Sequence, residues 1–175
     1  FSVCMESWMS YGELDRHSAA LGAWLQGQGL EPGARVAIML PNVPQFAVTM
    51  AAVLRAGYTC VNVNPLYTAR ELEHQLKDSG ATAIVILENF AHTLSEVIDH
   101  TGIRHVVMAS MGDLLGFWYG RWISFAVRHL AKMVPSYELP LTGGRKVTSF
   151  KKALALGARR SLQPSQANHD SIAFL

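Results

Sequence analysis

Residues 35–81, RVAIMLPNVPQFAVTMAAVLRAGYTCVNVNPLYTARELEHQLKDSGA, read as strand, helix, strand, helix. The apolar run 36–40, closed by Pro41, fits a strand buried on both faces. Asn42 is placed to cap the helix that follows, and Pro44 falls in its first turn, where a missing N–H costs nothing. Phe46, Val53 and Leu54 make an apolar stripe with Met50 beside it, and Gly57 is placed to stop the helix. A second strand is expected over 58–63. Thr68 then caps a helix over 69–79, with Glu71 three residues on completing a capping box. Two crossovers in series require parallel strands, because an antiparallel return needs only a short turn.

The flanking sequence continues the alternation. Ser10 and Glu13 form a second capping box for a helix over 11–28, whose buried stripe is Leu14, Ala20, Leu21 and Trp24, with His17 near its edge. Gly27, Gly29 and Gly33 lack dinucleotide-loop spacing and follow a helix instead of a strand, so they read as a helix stop and a turn. Strands are expected at 82–87 and 105–109. Between them lies a helix from a cap at Asn89 to about Thr101, apolar through Phe90, Leu94, Val97 and Ile98. The fold class is therefore α/β, a mainly parallel sheet with helices on both faces, built as one domain over residues 1–175.

Half of the 175 residues are hydrophobic, enough for a substantial core. Of the two cysteines, Cys60 alternates with Val61 and Val63 and reads as a core residue; no disulfide framework or metal-ligand spacing occurs. No leader peptide and no transmembrane helix are expected, which favours a reducing, cytoplasmic setting. The net charge of +2 hides an asymmetry: −5 through Asp113 and +7 beyond it.

The basic half begins with LLGFWYGRWISFAVRHLAKMV, residues 114–134, which contains no acid. At 100° per residue Trp118, Trp122, Met133, Ala126, Tyr119, Leu130 and Ile123 share one face, and Arg121, Arg128 and Lys132 lie opposite; Phe117 and Phe125 fall outside the apolar arc. Aromatic residues opposite a wholly basic stripe suit an interfacial helix on the inner face of the cell membrane, with Trp118, Arg121, Trp122, Arg128 and Lys132 as contacts. Packing on protein, including a second copy in a homodimer, satisfies the same pattern. Residues 136–145 read as loop, and TGGRK at 142–146 reads as a surface turn, lacking Walker spacing. Ser149 caps a short helix through Ala155, with Lys151, Lys152, Arg159 and Arg160 in solvent, and a last strand starts near Ile172.

Several of these segments share a resemblance. LRAGYTCVNVNPLYTARELEHQLKDSGA (54–81) resembles the second conserved motif of the acyl-adenylate-forming enzymes, and within them the bacterial long-chain fatty-acid–CoA ligases. MSYGELDRHSAALGAWL (9–25) resembles the superfamily's first motif, and ILENFAHTL and HDSIAFL are similar to the ligases too. The resemblance implies an enzyme that activates a fatty acid with ATP, aided by Mg²⁺, and transfers the acyl group to coenzyme A. It also implies that this chain is the N-terminal part. In that family a segment like HDSIAFL leads into a Thr/Ser/Gly-rich phosphate loop ending in lysine, which Leu175 precedes.

No position here matches a family catalytic residue, so none is assigned as catalytic, cofactor-binding or metal-binding, and the chain alone is expected to be inactive. Among the seven histidines, His92 and His100 are eight apart, about 12 Å along a helix and too far to share a metal. Glu71 and Glu73 face different directions and read as solvated. A membrane-docking or self-association module, and a stand-alone nucleotide-binding domain, are the alternatives. Nucleic acid is not an expected partner, since the basic residues are not interleaved with a base-stacking motif.

Overall fold

The computed structural model describes residues 2–4, 7–116, 120, 122, 123, 126, 127 and 134–175. A short antiparallel hairpin, β1 (Ser2–Cys4) and β2 (Ser7–Met9), leads into α1 (Tyr11–Gln26). Then come β3 (Arg35–Met39), α2 (Pro44–Arg55), β4 (Thr59–Asn62), α3 (Ala69–Ser79) and β5 (Ala83–Leu87). They are followed by α4 (Ala91–Val97), β6 (His105–Ala109), β7 (Lys146–Ser149) and α5 (Phe150–Gly157). Strands β3 to β7 form one sheet in the order β4-β3-β5-β6-β7, and every pairing is parallel. The sheet confirms the α/β expectation.

The strands sort their side chains by period two, and each set meets its own helices. Val36, Ile38, Cys60, Ala83, Val85, Leu87, Val107 and Ala109 pack with Leu21, Trp24, Val48, Val53 and Phe150, which α1, α2 and α5 supply. Ala37, Met39, Val61, Ile84, Ile86, Val106 and Met108 pack on the other face with Leu72 and Leu76 of α3 and Leu94 and Val97 of α4. Burial on both faces explains why these strands are near-continuous apolar runs instead of alternating ones.

Both expected capping boxes form. The hydroxyl of Ser10 accepts the Glu13 N–H while the Glu13 carboxylate accepts the Ser10 N–H, and Thr68 and Glu71 repeat the arrangement. Gly80 closes α3 at φ 64°, a left-handed conformation that favours glycine.

Other expectations need correction. Helix α2 is capped at Val43, not Asn42, and no side chain bonds its first turn; Pro44 carries the start instead. The buried face of α2 is Pro44, Gln45, Val48, Thr49, Ala52 and Val53, whereas Phe46, Met50 and Leu54 are half-buried. The helix expected from Asn89 to Thr101 is three pieces, with 3₁₀ turns at Glu88–Phe90 and Ile98–His100 flanking α4.

Strand β7 was not expected. Lys146, Val147 and Ser149 are exposed, so the segment has neither an apolar run nor alternation, and pairing with β6 creates it. The expected last strand is a single parallel bridge. Cys60 N–H donates to the Ala173 carbonyl and Leu175 N–H to the Cys60 carbonyl, both at 2.9 Å, which lays residues 172–175 along β4.

Candidate functional site

Strand β3 sits between β4 and β5: α2 carries the chain to one side of it and α3 carries it back to the other. The strand order therefore reverses at β3 and β5. In sheets of this kind, ligands bind outside the carboxyl ends of the strands at such a reversal. The loops arriving there are residues 40–43 after β3, 88–90 after β5 and 110–116 after β6. Because residues 172–175 run parallel to β4, the chain also heads toward this edge at Leu175.

A group of buried polar side chains holds the loop after β6. Gln45, wholly buried on α2, donates from Nε2 to the Ser110 carbonyl at 2.9 Å, while its Oε1 is enclosed with no hydrogen-bond partner among the described residues. Asp113 accepts the Ser110 N–H at Oδ2, 2.7 Å away, and its Oδ1 lies 3.6 Å from Lys151 Nζ on α5. Burial is the main reason the Asp113 carboxyl is held above its ordinary range; the Ser110 N–H and Lys151 oppose the rise, and the nearby Glu88 adds to it. Glu88 is itself 1% exposed. The Gln45 amide and the Asp113 carboxylate thus hold Ser110 from both sides of its peptide, with Lys151 beside the carboxylate. They position a loop. Among the described residues no three His, Cys, Asp or Glu side chains converge to hold a metal ion.

That loop feeds the amphipathic segment. Gly120 is buried, and its N–H donates to the Gly116 carbonyl at 3.0 Å. A Cβ at Gly120 would lie 2.1 Å from the Gly112 carbonyl oxygen, so only glycine permits this approach. Two residues on, Trp122 is 58% exposed. Ile123, Ala126 and Val127 are half-buried. Trp118, Arg121, Arg128 and Lys132 lie outside the described residues.

The remaining candidates stay apart. His92 Nε2 is 3.3 Å from Glu96 and His100 Nδ1 is 3.8 Å from Glu73, two separate surface pairs. Glu71 is engaged by Thr68, and Glu73 lies against Lys77. Lys151 is exposed, as the sequence suggested, and its ammonium lies 3.6 Å from Asp113. Gln45, Glu88 and Asp113 escaped sequence reasoning; the only signal was position, since each lies in a strand-to-helix connection or first turn on the carboxyl side of the sheet.

Comparison with known proteins places these features in context. Residues 2–117 match the family model described as AMP-binding enzyme. Over 174 residues the chain is 46% identical to a long-chain-fatty-acid–CoA ligase of Escherichia coli O157:H7, covering 99% of this chain and 30% of that protein. A ligase of the same description from Yersinia pestis is 47% identical over 169 residues, covering 95% and 29%. The chain thus spans about 30% of the length of these relatives. In fold it is similar to the adenylation domain of a carboxylate reductase from Mycobacterium chelonae. The TM-score is 0.71 at 19% identity, over 95% of this chain and 25% of that one.

Proposed function

This chain belongs to the AMP-binding enzyme family, and on that premise we propose that it is the N-terminal, supporting part of a long-chain fatty-acid–CoA ligase. The observation that carries this reading is 46% identity, sustained across 174 residues, to ligases of that description. In the complete enzyme a fatty-acid carboxylate attacks the α-phosphorus of ATP, forming the acyl-adenylate and releasing pyrophosphate. The thiol of coenzyme A then attacks the acyl carbon, giving the thioester, AMP and a proton. Among the described residues no three His, Cys, Asp or Glu side chains converge to hold Mg²⁺.

The contribution of these residues is rigidity. Two cores clamp a parallel sheet, and the Gln45–Asp113–Lys151 group fixes the loop at its carboxyl edge. Extending the polypeptide to the length of its relatives and assaying ATP-dependent thioester formation tests the assignment. Palmitate is expected to be consumed in preference to benzoate or salicylate. Turnover of aryl acids with none of palmitate contradicts the long-chain reading.

A second role concerns residues 114–134, for which we favour contact with an anionic membrane surface. The exposed Trp122 and the acid-free, basic composition of the segment support it. Among the described residues no helix is long and apolar enough to cross a membrane. Neutralising Arg121, Arg128 and Lys132 together is expected to release the protein from phosphatidylglycerol vesicles. Retention unchanged, with concentration-dependent sedimentation in the absence of lipid, favours self-association through the same segment.

A further inference from the structure

The amino-terminal edge of the sheet, opposite the reversal point, carries a separate open cavity of about 420 Å³. Its walls are the loop between α1 and β3 and the starts of β3, β5 and β6. Cations gather along this edge. Arg35 opens β3, Arg104 precedes β6 and Lys146 opens β7. Among the described residues Glu31 is the one carboxylate lining the cavity.

Helix carboxyl ends also point toward this edge and bring partial negative charge that competes for the cations. Much of that negative charge is answered locally. Arg35 Nη1 donates to the Ser79 carbonyl at the end of α3, and Gln28 Nε2 donates to the Trp24 carbonyl at the end of α1. Arg145, at the neighbouring β7 end, donates to the carbonyls of Ile98 and Ile103. Among the described residues Arg104 has no such acceptor, and it is exposed at the cavity wall. Its field is felt there: after burial, Lys146 and Arg104 are what hold the His105 imidazole below its ordinary range.

The loop adds donors. The N–H groups of Gly29, Leu30 and Glu31 make no hydrogen bond among the described residues, whereas Gly33 N–H and Ala34 N–H are bonded to the carbonyls of Gly57 and Glu31. Gly29 has φ 74°, and a Cβ there would meet nothing within 4 Å, so the backbone is open to close approach. Unpartnered backbone N–H groups beside a left-handed residue are donors that an oxyanion can use.

We infer that this cavity binds a small phosphate-class anion, held by the Arg104 guanidinium, the Arg35 N–H groups that Ser79 does not engage and the amides of residues 29–31. Its lining includes none of the buried polar residues at the opposite edge, and the inference does not depend on the proposed ligase activity.

The test is a titration of the ¹⁵N-labelled chain at constant ionic strength, with inorganic phosphate in one arm and glycerol phosphate in the other. Saturable shifts are expected at the amides of Gly29, Leu30 and Glu31. Saturation by both ligands identifies a site open to phosphate esters; saturation by inorganic phosphate alone identifies a closed one. Arg104→Ala is expected to weaken binding about tenfold or more, the cost of a charged hydrogen bond. Arg70→Ala, on the first turn of α3, is expected to leave binding unchanged. Because Arg104 is exposed, the ligand-free thermal midpoint of its variant should match that of the parent. Absence of saturable shifts at residues 29–31, or equal weakening by both variants, overturns the inference.

Discussion

Cys60 lies wholly buried on β4, where burial pushes its thiol up to about 12. At neutral pH it is therefore protonated, and the thiolate is the reactive form. In a Cys4→Ser background, iodoacetamide is expected to leave Cys60 unmodified in the folded chain and to label it on unfolding; labelling at the rate of a free thiol in the native state contradicts its placement. The same residue scale offers a titration. The folded-state pKa of Asp113 lies above its ordinary value of 3.8. Its ionisation therefore costs stability as pH rises through the folded value, and that cost is relieved on acidification toward the unfolded value. Asp113→Asn keeps an acceptor for the Ser110 N–H and is expected to remove this step from the stability–pH curve. An unchanged curve, measured by urea unfolding, excludes the assignment. Cys60 was legible as core from its strand neighbours, whereas Gln45, Glu88 and Asp113 were not. Polar residues read as surface, and only the convergence of α2, the loop after β6 and α5 encloses them.

At the scale of elements, local signals were read correctly wherever the chain supplies its own partners. Ser10 with Glu13 and Thr68 with Glu71 mark helix starts because each pair satisfies backbone donors within four residues. The misreadings are elements whose partners are distant. Strand β7 exists through its register with β6, His105 opposite Lys146. The start of α2 is fixed by Pro44 and by packing, which makes Asn42 dispensable as a cap. Helix α5 follows β7 and plugs Phe150, wholly buried, into the core shared with α1 and α2. Phe150→Ala is expected to cost about 3–5 kcal/mol by emptying that position. Guanidinium denaturation measures it, and a loss under about 1 kcal/mol means that α5 does not pack as described.

Across the whole molecule, the parallel sheet and its two-sided cover followed from alternating strand and helix signals, and the family from residues 54–81. The edge that gathers the loops after β3, β5 and β6 was not legible, because strand order is a three-dimensional property. On the proposed ligase reading the sheet is a support, and the residues that carry ATP through the reaction are not among these 175. The most direct measurement is palmitoyl-CoA formed from palmitate, ATP, Mg²⁺ and coenzyme A by the 175-residue chain, beside the same sequence extended to the length of its relatives. The account predicts thioester from the extended protein and none above background from the chain alone; sustained turnover by these 175 residues unaided contradicts it.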